Sequence, residues 1–221
     1  MLTKYQEARH AVRSQIIETA EILASANAEG LRALEASDTV KLEVIRKTLK
    51  PVSEYTEKID NDIVLIFARY TPEAKDLREL VSYLKITSAL NRIKTNINNY
   101  LKNMQSMLAE EDDNIVQFIK ESLSINRCTI NAFEKTLAMF KTFDDNEKIK
   151  QFAIEIDVEY AKTDDIYALL EKSVLQKMGE ADGKAEEYFN LLKYIRKNLK
   201  IIDRLDSIAQ RIIFARMGGK L

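Results

Sequence analysis

The chain has 221 residues, with 34 basic and 35 acidic side chains and a formal net charge of −1. This balance gives no electrostatic reason to bind nucleic acid, so that class of function is set aside. Only five glycines and two prolines are present, while 46% of residues are hydrophobic and 31% are charged. Such a composition favours a few long helices around a buried core.

Single features of the sequence disfavour several other classes of protein and of functional site. No stretch approaches the roughly 18 apolar residues of a membrane span, and the first residues lack the apolar core of a secretory signal. Cys128 is the only cysteine, so it forms no internal disulfide and is interpreted as a small buried hydrophobe. His10 is the only histidine, which largely excludes histidine-based triads and histidine-rich metal sites. We therefore expect a cytoplasmic protein.

Apolar residues recur at a helical period in the first part of the chain. The first predicted helix runs from about Thr3 to about Glu29 and ends near Gly30. Asp38 is a good N-cap for the second helix. Pro51 falls inside that helix and should kink it or mark a short break.

The third predicted helix starts at Pro72, since proline is well tolerated at the first helical position. It carries the clearest apolar stripe of this half, with steps of three and four residues. The stripe comprises Tyr83, Ile86, Leu90, Ile93, Ile97, Leu101, Met104 and Leu108. Three further helices are predicted at about 114–141, 147–178 and 184–217. The predicted fold class is all-α, with six long helices.

One helical phrase occurs twice, at 71–100 and, more faintly, at 186–215. The two copies align best at an offset of 115 residues, and each closes about half of the chain. Three antiparallel helices of this length can enclose one core. The sequence therefore predicts two tandem, pseudo-symmetric three-helix bundles, at 1–112 and 113–221, with the boundary in the polar turn at 110–114.

The phrase resembles the signature of the PhoU family of phosphate-uptake regulators. That family closes each three-helix repeat with P-x-A-x-D-L-R, then L-K-I, then L-E-R-I-G-D-x-A-x-N-I-A. The matching residues of the first copy are Pro72, Ala74, Asp76, Leu77, Arg78, Leu84, Lys85, Ile86, Leu90, Arg92 and Ile93. In the second copy they are Leu199, Lys200, Ile201, Leu205 and Ile208.

The resemblance implies a bacterial regulatory adaptor of phosphate transport and phosphate-starvation signalling. Such a protein would contact the ATPase of a phosphate ABC transporter, a sensor histidine kinase, or both. It would lie in the cytoplasm, at the inner membrane only through its partners, and could form a homodimer. It would act by contact and conformational restraint, and would be no enzyme. The alternatives are a carboxylate-based metal-binding bundle and a PhoU-like paralogue with a different protein partner.

The polar positions of the phrase depart from the family pattern. The family's acidic pair, four residues apart on one helix face, can hold a metal ion. In the first copy this pair is replaced by Asn91 and Thr95. In the second it becomes Asp206 and Gln210 or, in a register three residues earlier, Asp203 and Ser207. We therefore expect no cofactor. A divalent metal (Mg, Mn, Fe or Zn) at Asp203 and Asp206 is the alternative.

Two polar groups have open interpretations. Asp203 and Asp206 either bind a metal or form ion pairs, with Lys200 for Asp203 and a basic residue of a neighbouring helix for Asp206. A polar strip on the third helix is either a hydrogen-bonded or solvated face or a partner-contact surface. It comprises Asn91, Thr95, Asn98 and Asn99. An acidic stretch on the fifth helix, interpreted as solvated, comprises Asp157, Tyr160, Asp164 and Asp165.

Overall fold

The computed structural model describes residues 2–109, 112–180 and 184–219. Helices account for almost all of them, and no strand occurs in these three ranges. The helices are α1 (Leu2–Glu35), α2 (Thr39–Thr48), α3 (Val52–Arg69), α4 (Ala74–Leu108), α5 (Asp113–Lys141), α6 (Asn146–Glu180) and α7 (Ala185–Met217). The all-α class and the six-helix plan are confirmed, with the second long helix divided into α2 and α3.

The division of the second helix lies at Pro51. Asp38 caps α2 as predicted, its carboxylate accepting a hydrogen bond from the backbone N–H of Lys41 at 2.8 Å. A turn then separates Thr48 from Val52. Because Pro51 has no N–H to donate and its ring crowds the preceding turn, the α-helical hydrogen-bond ladder is interrupted here.

The first helix is longer than predicted. It continues through Gly30 to Glu35, and the turn that follows includes Ser37 at φ 53°. Gly30 serves close packing instead, because a Cβ at this position would lie 2.9 Å from a Cδ of Leu101 on α4. A glycine that allows two helices to approach was thus mistaken for one that ends a helix.

The helices group as the repeat predicts. Helix α1 packs on α2, α3 and α4, whereas α5, α6 and α7 pack on one another. The two groups meet where α4 packs along α7 and where α1 packs along α5. The tandem three-helix architecture is therefore confirmed, while the exact division between 112 and 113 stays a prediction. Glu110 and Glu111, in the predicted boundary turn, lie outside the described residues.

The apolar stripes of the repeated phrase form the core between these groups. Every predicted stripe residue of α4, from Tyr83 to Leu108, is buried. Burial also agrees between the two copies at the offset of 115 residues: Leu90 and Leu205 are fully buried, and Asn91 and Asp206 are both half-buried. Both copies bury the corresponding apolar face, and they pack against each other where α4 meets α7.

The charged residues of P-x-A-x-D-L-R lie near the first turns of α1 and the end of α7. Asp76 forms an ion pair with Arg9 of α1. Arg78 lies beside Gly218, just after α7 ends. Within the described ranges, no helix combines the length and apolar character needed to cross a membrane.

Candidate functional site: the polar faces of the two repeats

The polar strip of α4 faces α2 and α3. Ser53 of α3 donates a hydrogen bond to Oδ1 of Asn91 at 2.9 Å, and Arg46 of α2 donates one to Oδ1 of Asn98 at 3.3 Å. The hydroxyl of Thr95 bonds back to the carbonyl oxygen of Asn91 at 3.0 Å. Asn98 also lies 3.5 Å from Asn99. These contacts favour the hydrogen-bonded interpretation for Asn91 and Asn98, and a partner role for the strip stays a prediction.

A lysine adds a second positive charge, besides that of Arg46, to the first-repeat face. The ammonium of Lys94 donates to the hydroxyl of Ser53 at 2.9 Å, and that hydroxyl in turn donates to Asn91. One turn away, Thr87 donates to the carboxylate of Asp60, whose pKa is raised by burial. A fixed ammonium disfavours a second cation close by. Sequence reasoning missed Lys94 because only packing brings it to Ser53.

The second-repeat face is acidic. The carboxyl of Asp206 on α7 lies beside that of Asp157 on α6, and Gln210 donates a hydrogen bond to Asp206 at 3.3 Å. Asp203 accepts from the hydroxyl of Tyr160. The expectation of a basic partner on the neighbouring helix for Asp206 is therefore wrong: the structure places Asp157, an acid, against it. Lys200, the expected partner of Asp203, does favour its ionised form.

Desolvation and neighbouring negative charge raise pKa values at this face. Desolvation, followed by the charge of Asp206, raises the pKa of Asp157. Desolvation also raises the pKa of Asp203, although the hydrogen bond from Tyr160 opposes it. The charge of Asp203 is the main cause of the raised pKa of Tyr160. Proton binding to Asp157 and Asp203 is thus favoured more in the folded chain than in the unfolded one.

We expect Asp157→Asn to stabilise the fold at pH 7. A carboxyl whose folded pKa is raised destabilises the native state while ionised, and the penalty disappears as pH falls below the ordinary carboxyl range. Because both carboxyls are partly in water, the gain should be about 0.5 kcal/mol, or roughly 1–2 °C in melting temperature. Thermal melts at pH 7 and pH 3.5 measure it.

Glu155→Gln is the matched control on the same helix. Glu155 is ion-paired with Lys135 at 2.6 Å, and this hydrogen bond lowers the pKa of Glu155. Its substitution should therefore change stability in the opposite direction at pH 7. Equal signs for the two variants would contradict the repulsion between Asp157 and Asp206.

These carboxyls do not fit a multinuclear metal site of the family type. No group of three or more His, Cys, Asp or Glu side chains is arranged to hold a metal in the described part of the chain. A hard divalent ion is usually held by more oxygen ligands than one carboxyl pair provides. Binding of a single ion by Asp203 or Asp206 stays a prediction.

Part of the chain matches a known protein family. The model of the PhoU domain family matches residues 16–104. No curated protein sequence is similar enough to be assigned as a relative.

Two crystal structures share the fold over nearly the whole chain. PhoU from Pseudomonas aeruginosa superposes with a TM-score of 0.85 at 19% sequence identity, covering 97% of this chain and 100% of that one. The phosphate transport system regulatory protein PhoU from Streptococcus pneumoniae gives 0.73 at 16% identity, covering 98% and 99%. The PhoU resemblance read from the sequence is thereby confirmed: residues 16–104 match the PhoU domain, and the chain as a whole has the PhoU fold.

Proposed function

We propose that this chain is a cytoplasmic regulatory adaptor of phosphate transport and phosphate-starvation signalling. It would act by contact with the ATPase of a phosphate ABC transporter, a sensor histidine kinase, or both. The observation that carries the proposal is the PhoU domain match at 16–104 together with the PhoU fold over 97% of the chain. Long helices suit this role because they offer rigid faces to partner helices.

The polar faces support contact as the mechanism more than metal chemistry. The first-repeat face has Asn91 and Thr95 at the positions of the acidic pair, and the ammonium of Lys94 is bonded to Ser53, which donates to Asn91. The second places Asp206 beside Asp157, and desolvation together with the charge of Asp206 raises the pKa of Asp157. An adaptor of this kind would change the populations of its partners' conformations by binding one of them more tightly.

A phosphate-starvation promoter reporter tests the proposal in cells that lack the gene for this chain. We expect the promoter to lose its response to external phosphate, and the wild-type gene to restore it. A response that is unchanged by the deletion would contradict the proposal and favour a paralogue with another protein partner.

Elemental analysis of the purified chain separates the adaptor from the metal-binding alternative. We expect substoichiometric Mg, Mn, Fe and Zn in protein prepared without added metal. A stoichiometric ion that is lost in Asp203→Asn/Asp206→Asn would overturn this expectation and assign the acidic face to metal binding.

A further inference from the structure

A cavity of about 280 Å³ opens between the C-terminal part of α6 and the N-terminal part of α7. Its apolar lining includes Leu175 and Phe189, whose side chains are 47% and 61% exposed. Tyr167 and Leu192 complete this apolar surface. Large apolar side chains left in water beside a concave surface are typical of a binding site.

One wall of the cavity is strongly basic. It is lined by Lys193, Arg196, Lys197 and Lys200 of α7, against the single acid Glu171 of α6. Glu171 lies beside Tyr167, and its charge contributes to the raised pKa of that tyrosine after desolvation. Three of the four basic side chains are exposed. The cavity therefore combines an apolar floor with positive charge that its own lining does not neutralise.

The spacing of these charges fits a helix. Lys193, Lys197 and Lys200 follow one another at intervals of four and three residues, so they lie on one face of α7 over about 10 Å. The acidic face at Asp203 and Asp206 continues along the same helix. The groove between α6 and α7 is thus basic and apolar at one end and acidic at the other.

We propose that this groove docks an amphipathic helix of a partner protein, acidic at one end and basic at the other. Apolar side chains of that helix would enter the cavity at Leu175 and Phe189. Its acidic residues would face Lys193 and Lys197, and its basic residues would face Asp203 and Asp206. The charge order would fix the direction in which the helix lies. This inference rests on the proposed function and names the surface that performs it.

The charge pattern favours a protein helix over the other possible occupants. An anionic membrane would be repelled by Asp203 and Asp206 on the same helix and by Glu186 and Glu187 in the first turn of α7. A second copy related by a two-fold axis midway along the groove would bring its acidic face over the cavity. That face offers carboxylates and the hydroxyl of Tyr160, which do not suit an apolar floor.

The test uses the full chain and a synthetic, fluorescein-labelled helix about five turns long. The probe has glutamates at one end, leucines along one face in the middle and lysines at the other end. Fluorescence anisotropy should show saturable binding that weakens as salt increases. Lys193→Glu/Lys197→Glu should weaken it by about tenfold or more, because attraction becomes repulsion.

Lys102→Glu/Lys120→Glu is the matched control, because it makes the same change in net charge at two exposed lysines elsewhere. It should leave the affinity within about twofold of wild type. A probe whose glutamates are changed to lysines should recover binding to Lys193→Glu/Lys197→Glu. Equal affinities in the two charge variants, or no recovery by the swapped probe, would overturn the proposal.

The remaining outcomes distinguish a partner helix from other occupants of the groove. They also distinguish failure of the groove proposal from failure of the proposed function. Binding of phosphatidylglycerol vesicles that depends on Lys193 and Lys197 would overturn the helix in favour of a membrane. A wild-type dimer that dissociates on Lys193→Glu/Lys197→Glu would overturn it in favour of a second copy. A variant that loses the probe but keeps the promoter response to phosphate would overturn the groove alone, and the proposed function would stand.

Discussion

Replacing Asn126 by alanine should lower the free energy of unfolding by about 3 kcal/mol. Asn126 on α5 is 1% exposed. Its Oδ1 accepts hydrogen bonds from the hydroxyl of Tyr100 on α4 at 2.9 Å and from the amide of Asn198 on α7 at 2.8 Å. The substitution would remove the shared acceptor of two buried donors and leave a cavity between three helices. The loss corresponds to roughly 6–12 °C in melting temperature.

Tyr100→Phe is the control for this prediction. It removes one donor, leaves the bond between Asn198 and Asn126, and keeps the ring that fills the core. It should cost only about 1 kcal/mol. Denaturant melts of both variants measure the difference. If Asn126→Ala lowers the free energy of unfolding no more than Tyr100→Phe does, this polar network contributes little to joining the two bundles.

Replacing Glu79 by alanine should lower the free energy of unfolding by about 2–3 kcal/mol. Glu79 on α4 is 4% exposed and accepts a hydrogen bond from the hydroxyl of Tyr83 at 2.6 Å. It also lies 3.8 Å from the guanidinium of Arg9 on α1. Without it, the fully buried Tyr83 hydroxyl loses its acceptor, and Arg9 loses one of the two carboxylates that it pairs with and keeps Asp76. The first turns of α1 should then become less stable than the rest.

Amide hydrogen exchange of α1 and denaturant melts measure this effect. Glu79→Gln is the matched variant, since its amide oxygen still accepts from Tyr83 while the negative charge is lost. It should cost less than half as much, with exchange in the first three turns of α1 raised only slightly. Equal costs for the two variants would contradict the role given to the hydrogen bond with Tyr83.

The helices could be predicted because each buries one continuous face. The steps of three and four residues from Tyr83 to Leu108 follow from the 3.6-residue period, and all of these residues are buried. Asp38 was also predictable as a cap, since its carboxylate meets a free N–H within the same turn. The packing role of Gly30 could not be predicted, because glycine occurs both at helix ends and where helices pack closely.

The candidate site was harder to predict because its contacts join different helices. The sequence shows Asp157 and Asp206 as separate acids, and only the register of α6 against α7 makes them neighbours. Similarly, nothing local places Lys94 at Ser53 of α3. The spacing of Lys193, Lys197 and Lys200 is visible in the sequence, but the exposed apolar floor beside them is a property of the packed helices.

Both polar faces lead to the same account of the protein. The chain has the PhoU fold, while Asn91 and Thr95 stand at the acidic positions of the pattern in one repeat, and Asp206 lies beside Asp157 in the other. On this account, function depends on the surfaces of the bundles. The groove between α6 and α7 is the surface that we propose for partner binding.

The most direct test of this account is the binding of the purified chain to a purified phosphate transporter ATPase and to the cytoplasmic part of a phosphate sensor kinase. Isothermal titration calorimetry, with and without EDTA, measures both. We predict saturable binding to at least one partner, with a dissociation constant of about 10 μM or tighter, unchanged by EDTA and by Asp203→Asn/Asp206→Asn. Binding to neither partner, or binding that requires a metal ion, would contradict it.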